Sequence, residues 1–193
     1  MDLSRVANHS PRLITDERRD AGVLIPVVER PEGTGLLFTK RSDHLDEHPG
    51  QMSFPGGGHE PGDEDLRATA LREANEEIGL LATEVEIVGQ LDDIRTITEY
   101  AVSPFVGRIP DREYDPNDGE VAEIVVLPLE GLLDPENYEF ECRDHPHYGE
   151  VTIHYFHVDG YTVWGATGRI LVQFLELTTD WIVPPARADA GDD

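Results

Sequence analysis

The sequence contains one lysine, Lys40, and one cysteine, Cys142, among 193 residues. A lone cysteine excludes an internal disulfide framework and any zinc site built on thiolates. No apolar run approaches the length of a membrane span, and the opening MDLSRVANHSPRLITDERRD lacks the apolar stretch of a signal peptide, which predicts a cytoplasmic protein. Positive charge is scarce: 15 Lys+Arg stand against 40 Asp+Glu, a formal net charge of −25. A field of that sign repels phosphate backbones and anionic bilayers, so nucleic acid and membrane are not expected as partners. Carboxylate excess with almost no lysine is the habit of proteins kept in concentrated salt, where screening removes the cost of self-repulsion, and it predicts a halophilic protein.

The length fits a single domain over residues 1–193, with a core of about 20–178 and a frayed tail over 184–193. The first twenty residues read as a short helix followed by an arm. Ala21–Glu29 and Gly35–Lys40 are apolar runs separated by Arg30-Pro31-Glu32-Gly33-Thr34, a turn composition, so they predict a hairpin. Val85–Leu91, Tyr100–Val106, Glu123–Leu127, Val151–Val158 and Tyr161–Trp164 are further strand candidates, and Asp159-Gly160 predicts a tight turn between the last two. Helical spacing marks Asp65–Ile78 (Leu66, Ala70, Leu71, Ala74, Ile78) and Ala166–Thr178 (Ile170, Leu171, Phe174, Leu175). The order predicts a mixed α+β domain with helices on either face of a mixed sheet.

The most informative stretch runs from Gly56-Gly57-Gly58 through Glu64 to Arg72-Glu73-Ala74-Asn75-Glu76-Glu77-Ile78-Gly79-Leu80. Glu73, Glu76 and Glu77 fall at i, i+3 and i+4 and share one helix face. A Glu-rich helix in an acidic chain is ordinarily just a solvated face. Three like charges on one face cost stability unless something neutralises them, and all-oxygen ligation suits Mg²⁺ or Mn²⁺. The glycines lack both the Gly-x-Gly-x-x-Gly spacing of a dinucleotide fold and the Gly-Lys-Ser/Thr of a P-loop.

Gly58, five residues, Glu64, seven residues, then Arg72-Glu73-Ala74-x-Glu76-Glu77-x-Gly79-Leu80 matches the complete Nudix box. The chain therefore resembles the Nudix hydrolases, which cleave diphosphates linked to another moiety. The resemblance implies an α/β/α sandwich around a mixed β-sheet. It implies that Glu73, Glu76 and Glu77 are the metal-binding and catalytic carboxylates, that Gly58 lends a backbone carbonyl, and that Glu64 and Arg72 support them. Arg72 can hold Glu64 or a neighbouring carboxylate.

Upstream, Leu36–Gly57 resembles the extra motif of the coenzyme A diphosphatase branch, with matches at Thr39, Arg41, Ser42, Leu45, His48, Gly50, Phe54, Pro55, Gly56 and Gly57. Asp46 stands where that branch carries arginine. This resemblance implies hydrolysis of coenzyme A or an acyl derivative to 3′,5′-ADP and a 4′-phosphopantetheine product, with Lys40, Arg41, Ser42, His48, Gly56 and Gly57 binding substrate. ADP-ribose or a nucleoside triphosphate is the alternative within the family, and a noncatalytic nucleotide-binding module the alternative outside catalysis. The expected partner is a small-molecule nucleotide; a homodimer is the assembly held open.

The general base is a box glutamate or one from a distant loop, for which Glu120, after Asn117-Asp118-Gly119, is the candidate. Cys142 reads as a bystander. His154 and His157 fall on opposite faces of a strand, against a histidine metal site with His145 and His147. Trp164, at a strand end, reads as a core residue, with stacking on an adenine as the alternative, and Arg95 reads equally as a loop cation available to phosphate or as a member of an ordinary surface ion pair.

Overall fold

The computed structural model describes residues 1–42, 49–117, 119–145 and 149–185. The chain runs α1 (Ser4–Ala7), β1 (Arg19–Arg30), β2 (Gly33–Arg41), β3 (Met52–Ser53), β4 (Gly56–Gly58), α2 (Leu66–Ile78), β5 (Glu86–Gln90), β6 (Ile94–Arg95), β7 (Tyr100–Ile109), β8 (Val121–Pro128), α3 (Leu129–Leu133), β9 (Tyr138–His145), β10 (Gly149–Val158), β11 (Tyr161–Val163) and α4 (Gly165–Thr178). Among the described residues β3-β2-β1-β7-β5 lie side by side; β4 also pairs with β1, β6 with β7 and β8 with β2. β1 and β7 are parallel, from Arg19↔Tyr100 to Val28↔Ile109, and the other pairings are antiparallel, so the sheet is mixed.

The central strands read as continuous apolar runs because both faces of the sheet are covered. Leu24, Val28 and Leu37 pack with Ala70, Ala74 and Ile78 of α2 on one face. Ile25, Val27, Leu36 and Phe38 point the other way, into a larger core with Phe174 and Leu175 of α4 and Phe156 of β10. That second core is closed by an antiparallel sheet of order β11-β10-β9. The layering is the expected one, with helices on both faces of a mixed sheet.

The predicted hairpin forms with a tighter turn than its composition suggests, since Arg30 pairs directly with Gly33 across Pro31-Glu32. Asp159 and Gly160 both have positive φ (51° and 83°) and join Val158 to its partner Tyr161, the geometry that a two-residue turn between right-twisted strands requires. The predicted arm after α1 is tied down: the Asp92 carboxylate accepts from the Arg12 backbone N–H (3.0 Å) and Nε (2.6 Å) and contacts His9 Nε2 (2.7 Å). Most of the expected tail, residues 186–193, lies outside the described residues.

Two local devices position α2. Asp65 caps its start, accepting from the Ala68 N–H at 2.7 Å, and Gly79 ends it in the left-handed region at φ 65°, with its N–H bonded to the Asn75 carbonyl. At Gly22 in β1, any Cβ would stand 2.1 Å from the Leu66 carbonyl oxygen. The missing side chain lets the helix lie directly on the strand beside the glycine loop.

Candidate active site

The three glycines form β4, which pairs with β1 through Gly56↔Val23, Gly57↔Gly22 and Gly58↔Ala21. This places the loop beside the middle of α2. A Cβ on Gly57 would meet the Glu73 carboxylate at 2.5–2.8 Å, so the bare backbone there makes the space that Glu73 occupies.

Arg72 organises the next layer. Its Nε and Nη2 form a fork on Asp63 (3.0 and 3.1 Å), Nη2 also donates to the Gly58 carbonyl (3.0 Å), and Nη1 reaches Glu73 (2.9 Å) and Glu76 (3.1 Å). The supporting carboxylate is therefore Asp63, the neighbour of Glu64. Hydrogen bonds from Arg72, the Glu60 backbone and Thr69 hold Asp63 well below the usual carboxylate range. Glu64 is exposed and has no hydrogen bond or ion pair among the described residues. The sequence pattern names Glu64; that Asp63 is the one under the arginine shows only in the folded chain, where Asp63 also accepts from the Glu60 N–H.

Glu77 faces the interior. Its Oε2 is buried without a hydrogen-bond partner among the described residues. Burial, followed by the charges of Glu73 and Glu120, pushes its carboxyl up to about 8, against a smaller opposing pull from the Gly56 N–H and Arg41. Glu73 is raised as well, by burial first, with Arg72 pulling down and Glu76 and Glu120 pushing up. Glu120 thus lies within electrostatic reach of both box glutamates. Its loop is docked rather than free: the Asn117 N–H donates to the Glu77 carbonyl (2.8 Å), and the Ser42 N–H to the Glu120 carbonyl (2.9 Å).

Among the described residues no three acidic, histidine or cysteine side chains are gathered into a finished cage, because Arg72 takes up Glu73 and Glu76. The donor set nonetheless fits a divalent cation. A buried carboxylate oxygen with no partner, a second raised carboxylate beside it and a third within reach are hard oxygen donors carrying surplus negative charge.

Glu77 also lines a cleft of about 300 Å³, with Arg41, Gln51, Gly56, Val102 and Thr167. Arg41 and Gly56 of the upstream motif thus share this cleft with Glu77 of the acidic helix, and Ser42 is buried. Lys40 does not line this cleft; its Nζ lies 3.9 Å from Glu123. His48 lies outside the described residues. Gln51 and Thr167 are lining residues the sequence reading missed, and only the fold brings them to the site. The first turn of α4 borders the cleft through Ala166 and Thr167, and Trp164 supplies no side-chain cap to it.

Trp164 is not a core residue: it lies just past β11 at the start of α4, is 37% exposed and stacks on Tyr155 at 6.2 Å. Arg95 is engaged by Asp16 and Glu17. His154 bonds to Tyr138 (2.7 Å) and His157 to Glu139 (3.1 Å) and Thr162 (3.0 Å), on separate faces, and Cys142 is exposed, as expected.

Comparison with known proteins agrees with the geometry. The family model for the NUDIX domain matches residues 18–144. A protein called uncharacterized Nudix hydrolase NudL, from Enterobacter sp. (strain 638), is 41% identical over 175 residues, 88% of each chain. Its namesake in Photorhabdus laumondii is 35% identical over 170 residues, covering 86% of this chain and 88% of that one. Among solved structures, a MutT/nudix family protein from Enterococcus faecalis superposes over 86% of this chain and 63% of that one, with a TM-score of 0.56 at 14% identity. The Nudix hydrolase RenU of M. smegmatis covers 60% of this chain and 73% of its own, with a TM-score of 0.50 at 20% identity.

Proposed function

The chain belongs to the Nudix family and is a hydrolase of phosphorus-containing anhydrides; from that premise we propose that it cleaves the diphosphate bond of coenzyme A or an acyl-coenzyme A to 3′,5′-ADP and the (acyl-)4′-phosphopantetheine. The observation that carries the reading is the meeting of two motifs in one cleft. Arg41 and Gly56, from the upstream segment that resembles the coenzyme A diphosphatase branch, share a cleft wall with Glu77 of the acidic helix.

Glu73, Glu76 and Glu77, with the Gly58 carbonyl, are the groups that would hold Mg²⁺ or Mn²⁺. The Gly58 oxygen keeps a second lone pair beside its bond from Arg72. When bound, the ion supplies Lewis-acid polarisation of the diphosphate. Arg72 and Asp63 fix the carboxylates in place. Arg41 offsets charge on the nonbridging oxygens, and the positive end of the α4 dipole lies beside the same cleft. Glu120, whose backbone is bonded to Ser42 and Asn117, would accept the proton of the attacking water; its charge acting on Glu73 and Glu77 supports that role.

The test is a side-by-side panel of coenzyme A, dephospho-coenzyme A, ADP-ribose and nucleoside triphosphates with Mg²⁺ and with Mn²⁺, in low and high salt. Coenzyme A should give the highest kcat/KM. Faster turnover of ADP-ribose would reject the substrate while leaving the hydrolase reading in place.

A further inference from the structure

Beside the cleft, on the other side of the first turns of α4, lies a second cavity of about 350 Å³ whose polar lining is Arg95, Thr96, Glu150, Thr152, His154 and Arg169. Lys40 lies off the cleft with its Nζ 3.9 Å from Glu123, and Arg41 is the one cation among the described residues that line it, so a second, separate phosphate calls for another. We propose that this cavity is a phosphomonoester subsite, and that Arg169 is the residue that reads the 3′-phosphate of a substrate whose diphosphate lies in the cleft. The inference rests on the substrate reading above.

In a chain of net charge −25, the Arg169 guanidinium has no carboxylate partner among the described residues; its bond there runs from Nη1 to the Arg95 carbonyl at 2.9 Å. Arg95 is neutralised by Asp16 and Glu17, which leaves Arg169 as the cation facing the cavity. Arg169 also sits close to the positive end of α4, where the helix dipole disfavours a cation and favours an anion. The residue as a whole is exposed, but its guanidinium is desolvated at the cavity mouth, which lowers its pKa. Burial, and then the charge of Arg169, lower His154 in the same wall. An anion in the cavity would pair with Arg169 and complement the dipole, and Thr96 and Thr152 offer hydroxyl donors to it. Glu150 is the acidic member of the lining.

Position ties the cavity to the cleft. Ala166, Thr167 and Ile170 line the cleft, and Arg169 lies among them in sequence, within one helical turn of about 5.4 Å. On the strand side, Val102 lines the cleft and pairs with Ile94, whose neighbour Arg95 lines the cavity. A ligand carrying a diphosphate and a phosphomonoester on one ribose can therefore reach both.

The experiment compares the parent, Arg169→Ala and Arg169→Lys in two assays. The first is the ratio of kcat/KM for coenzyme A to that for dephospho-coenzyme A. The second is calorimetric binding of 3′,5′-ADP against 5′-AMP. The parent should favour the phosphomonoester-bearing ligand at least tenfold in both, Arg169→Ala should abolish the preference, and Arg169→Lys should restore part of it. An unchanged ratio in Arg169→Ala, or an equal loss for both ligands of each pair, would overturn the subsite. Should the parent fail to cleave coenzyme A, the substrate reading falls. The binding assay then decides the subsite alone: a preference for 3′,5′-ADP that vanishes in Arg169→Ala upholds it, and its absence in the parent rejects it.

Discussion

Replacing Glu77 with glutamine should make the metal-free protein more stable at alkaline pH and do almost nothing to it in acid. The carboxyl rises from an ordinary 4.5 to about 8 because folding buries it beside Glu73 and Glu120. A group raised in this way contributes most below its unfolded value, and that contribution is lost as the pH climbs through the folded one. In the absence of cations, folding therefore penalises the ionised carboxylate increasingly between about pH 4.5 and pH 8. The full shift corresponds to a ceiling of roughly 5 kcal/mol, and relaxation and water entry around a cleft residue reduce this to about 2–3 kcal/mol. Glutamine keeps the shape and the acceptor for the Gly56 N–H but carries no charge. The assay is urea denaturation of parent and Glu77→Gln in EDTA, at pH steps from 4.5 to 8.5 and fixed salt. The free-energy difference should move toward the variant by about 2–3 kcal/mol across that range. A difference that stays flat with pH would refute the placement of Glu77 as a buried, unsatisfied carboxylate. Repeating the series with Mg²⁺ should stabilise the parent selectively at the alkaline end.

Gly57→Ala puts a methyl group against the Glu73 carboxylate; the fold should survive while Mn²⁺ affinity drops about 10–100-fold by calorimetry. Arg72→Ala frees Asp63, whose carboxyl is held well below its usual 3.8. The resulting loss of stability should be complete above about pH 5 and shrink as the pH falls below 3.8, read as melting temperature against pH. Glu120→Gln should lower kcat by about 10²–10⁴-fold and remove the acidic limb of the pH–rate profile; an unchanged limb would take Glu120 out of the proton transfer.

Much of this architecture was legible because it follows from local rules. The covered strands β1 and β2 show as apolar runs, α2 as a stripe bounded by Asp65 and Gly79, and the Asp159-Gly160 turn by residues that tolerate positive φ. β9 passed unread although Tyr138, Phe140 and Cys142 alternate with Glu139, Glu141 and Arg143; the charged positions mask a strand with one face in the core. β4 had no side chains to read, since Gly56–Gly58 become a strand only by pairing with β1. At the site, spacing placed Glu73, Glu76 and Glu77 on one face, but not which of them would be buried. That depends on α2 lying against Gly22 and on the loop of Asn117–Glu120 closing over its end. Lys40 and Arg41 are adjacent in sequence, yet only Arg41 lines the cleft, since successive side chains of a strand point to opposite faces.

The central claim is that this cleft breaks a diphosphate with the help of Glu77. It is tested most directly by ³¹P NMR of coenzyme A incubated with the protein and Mg²⁺. The account expects the two diphosphate resonances to disappear and two new phosphomonoester resonances to grow in, with the 3′-phosphate retained and no change in the presence of Glu77→Gln. Persistence of the diphosphate signals with the parent, or loss of the 3′-phosphate in their place, would contradict it.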